Sequence, residues 1–145
     1  ATRVGEINLI AVAAPSYLKR KSVIKNPQDL EQHHCLSLNH QMIGARWNLK
    51  NVKAVVKIPI KNCIVSNHMS TLKAAAISGA GVALIPSYLC RAEINSGVLQ
   101  RVLPEWVNPG MPVSFITPLS VNSAARLKVT REHIVSALKE GLLLP

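Results

Sequence analysis

Acidic residues are scarce in this 145-residue chain: 7 Asp plus Glu stand against 17 Lys plus Arg, a formal net charge of +10. Aromatics are scarcer still. Tyr17, Tyr88, Phe115, Trp47 and Trp106 are too few and too scattered for a base-stacking platform. No helix-turn-helix, zinc-finger or RNA-recognition signature accompanies the positive charge, and the only cationic cluster is Lys19-Arg20-Lys21 with Lys25 close behind. These gaps argue against specific nucleic-acid reading by this segment and leave weak, salt-sensitive attraction to polyanions. No run reaches the ~18 apolar residues of a membrane span, so no membrane partner is expected. The three cysteines, Cys35, Cys63 and Cys90, form no CxxC pair, which excludes a zinc ribbon and a disulfide framework. They read as small buried thiols of a reducing compartment, the cytoplasm. The first residues are too polar for a secretion signal and lack an initiator Met, the pattern expected of a cut or processed N-terminus.

What is present is a chain that can fold. Apolar residues make up 48% and charged residues 17%, a balance that excludes intrinsic disorder in about one domain's length. Ile7 to Ala14 reads as a strand covered on both faces, followed by a short helix opened by Ser16-Tyr17-Leu18. Asn26-Pro27 starts a second helix, with Asp29 and Glu31 suiting its dipole, that runs to about His33. Cys35 to Leu38 is a short strand. Arg46 to Leu49 and Val52 to Ile58 form a hairpin about Asn51, and Ile60 to Val65 is a further strand. A helix follows Ser66-Asn67-His68-Met69-Ser70 and closes at Gly79 and Gly81. Val82 to Ile85 is a buried strand ended by Pro86, and Ser87 caps a helix over Tyr88 to Asn95. Val98 to Leu103 is a strand, Pro109-Gly110 a turn, and Val113 to Thr117 a strand stopped by Pro118. Asn122 to Glu140 is the longest helix, with Ala124, Leu127, Ile134 and Leu138 as its apolar stripe. Strands alternating with helices predict an α/β fold with parallel strands.

Few residues carry chemistry. No Gly-x-Ser-x-Gly elbow or phosphate-binding Gly-x-x-x-x-Gly-Lys occurs, and the dispersed carboxylates offer no acid/base pair. No catalytic residue, cofactor or metal is therefore expected, and the chain does not read as an enzyme. His33-His34-Cys35 with His40 fits no zinc spacing and reads as surface or partly buried histidines. The two Trp read as packing residues. The exception is the turn Ser66-Asn67-His68-Met69, where a buried strand meets a helix N-terminus. Free N–H groups and the helix dipole favour an anion there, and the Ser and Asn side chains add neutral donors. Simple capping by Ser66 or Asn67 is expected in either case. Beside a helix N-terminus His68 suits a neutral hydrogen-bonding role.

Four stretches in order resemble the effector-binding domain of LysR-type transcriptional regulators. They are Ala14-Pro15-Ser16-Tyr17-Leu18 after a strand, Pro27-Gln28-Asp29-Leu30 with His33-His34-Cys35-Leu36, Gly79-Ala80-Gly81-Val82-Ala83-Leu84-Ile85-Pro86, and Ser96-Gly97-Val98-Leu99 through Leu103-Pro104-Glu105-Trp106. The resemblance implies a type 2 periplasmic-binding-protein-like fold, a mixed, mostly parallel sheet flanked by helices, in two lobes joined by two crossover strands. On that plan residues 1–13 are the first crossover, 14–112 the second lobe, and 113–145 the return crossover and C-terminal helix of the first lobe. The opening half of the first lobe and the DNA-reading winged helix would be missing. The last helix departs from the family at His133-Ile134-Val135, where an aromatic is frequent, and its apolar stripe lacks the expected sheet and tends to find another chain.

The resemblance also implies a ligand in the interlobe cleft, contacted by Pro15, Ser16, Ser66, Asn67, His68, Met69 and Thr117. The ligand would be a small metabolite, an anion among the candidates. It implies homo-oligomers, dimeric or higher, and DNA bound only through the absent N-terminal domain. The alternative is a periplasmic solute-binding protein fragment of the same fold.

Overall fold

The computed structural model describes residues 2–38, 46–116 and 125–143. The chain divides into two compact units, Asn8–Pro109 and Ala1–Ile7 with Gly110–Pro145. The strands β1 (Thr2–Ala13), β2 (His34–Leu38), β5 (Lys61–Ser66), β6 (Val82–Pro86) and β7 (Gln100–Val102) lie in the order β5-β2-β6-β1-β7. β2 is parallel to both β5 and β6, while β1 is antiparallel to β6 and β7. β8 (Asn108–Phe115) also pairs with β1. The sheet is therefore mixed, with the long first strand running against its neighbours.

Burial explains this arrangement. Leu9 to Ala13 are all buried, as the unbroken apolar run requires of a strand covered on both faces. On one face alternate residues Ile10, Val12, Leu36, Leu38, Ala83 and Ile85 meet Leu72 and Ala76 of α2 (Met69–Ile77) and Cys90 of α3 (Ser87–Asn95). On the other, Ser37 Oγ accepts a hydrogen bond from Trp47 Nε1 at 3.0 Å. That bond fastens the antiparallel hairpin of β3 (Arg46–Lys50) and β4 (Val55–Pro59). Asn51 shapes its turn by accepting the Lys53 and Ala54 N–H groups, each at 2.8 Å.

Several local expectations change. Residues Pro27–Gln32 form a 3-10 helix, opened by a capping box in which Asn26 and Asp29 satisfy each other's backbone N–H. Asp29 also accepts the Lys25 N–H at 2.8 Å, and these two bonds hold its carboxyl below the ordinary range. Ser87 is the first residue of α3 and does not cap it; Pro86 occupies that position without a side-chain hydrogen bond. Pro109-Gly110 is not a turn but part of β8, where the Gly110 N–H donates to Glu6 Oε1 at 3.1 Å. The expected strand from Val98 to Leu103 shrinks to β7, and Leu103 adopts φ 52 just beyond it. The last helix, α4 (Ala125–Leu143), leaves Val129, Ile134 and Leu138 exposed. Ala124 and Thr117 lie outside the described residues, as does the Cys63 side chain. Cys35 and Cys90 are free and buried, and burial pushes their thiols up to about 12 and about 11.

One buried polar chain was not legible in the sequence. The Tyr17 hydroxyl of α1 (Pro15–Arg20) accepts the His34 N–H at 3.0 Å and is hydrogen-bonded to His33 Nδ1 at 3.0 Å. His33 Nε2 in turn is hydrogen-bonded to Ser22 Oγ at 3.3 Å. His33 is 1% exposed, and its burial depresses its pKa from the ordinary value of about 6.5. The unfolded chain takes up this proton first, so stability is complete above about pH 6.5 and falls as the pH drops toward the folded pKa. Urea unfolding at pH 7.5, 6.5 and 5.5 should show that fall, and His33→Gln should flatten it; an unchanged slope would assign the effect to other groups.

Candidate ligand site at the β5–α2 turn

The chain leaves the sheet at Ser66, which pairs with Leu38 where the parallel strands β2 and β5 both end. Ser66 is half-buried, whereas Asn67 and His68 are exposed. The Ser66 hydroxyl oxygen accepts the His68 N–H at 3.1 Å, which leaves its own proton free to donate. His68 occupies the capping position of α2 with extended backbone, φ −117 and ψ 121, and no side chain caps the helix. The first helical bond runs from the Leu72 N–H to the His68 carbonyl at 3.3 Å. The capping expected of Ser66 or Asn67 is therefore not made, because Ser66 folds its hydroxyl onto the turn itself.

The N–H groups of Met69, Ser70 and Thr71 precede that first bond, at the positive end of the helix dipole. No acidic residue occupies the first turn of α2. Lys73, one turn further on, is engaged elsewhere: its ammonium donates to Glu93 Oε1 at 2.7 Å and to the Leu89 carbonyl at 3.0 Å. That bond holds the Glu93 carboxyl below its ordinary range. Met69 packs its side chain against the core cluster, so it presents backbone rather than thioether to the turn. The arrangement offers hydrogen-bond donors of both kinds, which suits an oxyanion or a carbonyl.

Pro15 and Ser16 are not brought to this place. β1 runs antiparallel to β6, with Leu9 opposite Pro86 and Val12 opposite Ala83, so its C-terminal end lies where β6 begins. Ser16 instead adjoins the far end of α2. A Cβ built on Gly79 would stand 3.1 Å from Ser16 Oγ, and Arg20 ties the two segments by donating to the Ser16 and Gly79 carbonyls at 3.1 and 2.9 Å. The nine residues of α2, ~13 Å of helix, separate Ser16 from Ser66. Pro15 lines a different groove of about 490 Å³ between α1 and β7, with Leu18, Val102 and Leu103. With β1 antiparallel to β6, the Pro15-Ser16 turn and the Ser66 turn stand toward opposite ends of α2. Among the described residues no three of His, Cys, Asp and Glu gather as metal ligands, and His40 lies outside them.

A mixed sheet flanked by helices, with its first and last strands paired, is the type 2 periplasmic-binding-protein architecture seen in regulatory domains of transcription factors. The chain belongs to the LysR substrate binding domain family, whose model matches residues 1–139. It is 28% identical over 113 residues to an HTH-type transcriptional regulator of Xanthomonas campestris, covering 75% of this chain and 33% of that protein. It is 26% identical over 140 residues to the HTH-type transcriptional regulator PtxR of Pseudomonas aeruginosa, covering 92% and 44%. Its fold is similar to part of the full-length virulence activator AphB of Vibrio cholerae, with a TM-score of 0.79, 20% identity, and coverage of 93% of this chain and 46% of that one. The chain thus spans a third to under half the length of these proteins.

The relatives are transcriptional regulators, and the chain matches the substrate-binding domain of that class. Among the described residues no helix is long and apolar enough to cross a membrane.

Proposed function

We propose that this chain senses a small metabolite, an anion among the candidates, for a LysR-type transcription factor that acts in the bacterial cytoplasm. The effector binds at the Ser66-Asn67-His68-Met69 turn, on the side of the second lobe that faces the cleft. The observation that carries this reading is the uncapped N-terminus of α2 beside the free Ser66 hydroxyl proton. Ser66 and Asn67 donate from their side chains, His68 acts as a neutral partner, and the Met69 backbone contributes an N–H. By the family resemblance, Thr117 adds a further contact.

The mechanism is a population shift. An effector that fits the closed cleft better than the open one stabilises the closed arrangement, by no more than that difference in affinity. In a homodimer or higher assembly the shift moves paired DNA-binding heads carried on the N-terminal domain.

The test is the double substitution Ser66→Ala with Asn67→Ala in the intact regulator. Each lost hydrogen bond is worth about 1 kcal/mol, so the effector concentration for half response should rise about tenfold or more. Operator affinity without effector should stay within about twofold. Equal loss of both would reject the site.

A further inference from the structure

From Gln32 to Ala92 the sequence contains no Asp or Glu, yet it holds seven Lys and Arg: Arg46, Lys50, Lys53, Lys57, Lys61, Lys73 and Arg91. Four of the seven belong to the β3–β4 hairpin and its turn, and the register puts three of them on one face. Arg46 lies opposite Pro59, Asn48 opposite Lys57, and Lys50 opposite Val55. The intervening pairs, Trp47 with Ile58 and Leu49 with Val56, form the opposite face, on which Trp47, Leu49 and Ile58 are buried. Arg46, Lys57 and Lys50 therefore zigzag across the outer face at diagonal spacings of ~7 Å. Lys53 extends the line at the turn. Among the described residues none of these four cations is in an ion pair.

The platform is held in place. Lys50 and Val107 exchange backbone hydrogen bonds at 2.8 and 2.9 Å, and Asn108 Nδ2 donates to the Asn48 carbonyl at 2.7 Å. Trp47 anchors the inner face through Ser37. A row of unpaired cations on a fixed strand pair makes a local positive potential that draws an anionic partner.

We propose that the outer face of this hairpin contacts the phosphate backbone of duplex DNA, through Arg46, Lys50, Lys53 and Lys57. The inference rests on the family assignment, since relatives that hold DNA through a separate domain bring it to a high local concentration at a weak second contact. An acidic protein partner fits less well: apart from Arg46 the face carries no anchor of the kind that dominates protein–protein interfaces, neither Trp nor Tyr. Contact with phosphates is sequence-independent, so the face would add affinity without adding specificity.

The test measures binding of the intact regulator to a labelled 30-base-pair duplex of arbitrary sequence, by anisotropy over a series of salt concentrations. The variant Arg46→Gln, Lys50→Gln, Lys57→Gln should reduce the slope of log affinity against log salt by ~2.7 for three lost phosphate contacts. Affinity at 0.1 M salt should fall tenfold or more. A control that removes the same charge elsewhere, Lys19→Gln, Lys128→Gln, Lys139→Gln, should change both far less. Equal effects of the two variants, or none from the hairpin, would overturn the proposal and leave the family reading intact. Failure of the unaltered regulator to bind any duplex would overturn both. Tighter hairpin-dependent binding of polyglutamate than of DNA would overturn the proposal in favour of an acidic protein partner.

Discussion

Gly81→Ala should destabilise the chain by about 3 kcal/mol or more, a large part of the ~5–15 kcal/mol that holds a domain folded. A Cβ on Gly81 would stand 2.4 Å from the His34 carbonyl oxygen and 3.0 Å from its carbon. Backbone atoms cannot swing aside as the end of a flexible side chain can. Relief requires moving His34, whose N–H is bonded to the Tyr17 hydroxyl, and parting Cys35 from Val82 where β2 meets β6. Those strands are neighbours within the sheet, so the damage falls on its interior pairing. Gly97→Ala is the contrasting case. Gly97 has φ +79 with nothing within 4 Å of an added Cβ, and only the left-handed backbone cost of ~1–2 kcal/mol applies. Urea unfolding of both variants checks the argument, and equal losses would sink it.

Trp47→Ala should cost a further large amount, about 3–5 kcal/mol, because a fully buried aromatic leaves a cavity that its neighbours fill only in part. The indole N–H also satisfies Ser37 Oγ, and Ser37 is itself 1% exposed, so truncation strands a buried hydroxyl. The loss should appear first in the hairpin. Hydrogen exchange of the Lys50 and Val107 amides, which bond to each other's carbonyls, should lose protection at lower denaturant than the β1–β6 amides do. Uniform loss across both regions would show instead that the hairpin and the sheet open as one. Trp47→Phe keeps most of the volume and should recover most of the stability.

Much of the fold was legible because its signals are local. Asn26, Pro27 and Asp29 write a capping box within four residues, and it formed as such. Asn51 with the alternating residues on either side announced the hairpin, and the unbroken apolar run through Ala13 announced a strand covered on both faces. Pro109-Gly110 misled because a dipeptide that favours a turn was overridden by pairing with β1 and by the Glu6 carboxylate. The sequence places His33 among surface or partly buried histidines, whereas it is fully buried. Its burial depends on Tyr17, sixteen positions away, and no pattern within one element reveals that partner.

The amino-acid sequence by itself determined which segments form strands and helices, the excess of positive charge, and the family, since each is written in residues close together or in their order along the chain. It also marked Ser66 to Met69 as the meeting of a strand with a helix N-terminus. Only the tertiary structure decided that β1 runs against its neighbours, which places Pro15 and Ser16 at the other end of α2. It alone showed that Ser66 spans its own turn and leaves the helix uncapped, and that Arg46, Lys50 and Lys57 share one face. Strand direction, register and capping are settled by contacts between distant residues, and a one-dimensional pattern does not contain them.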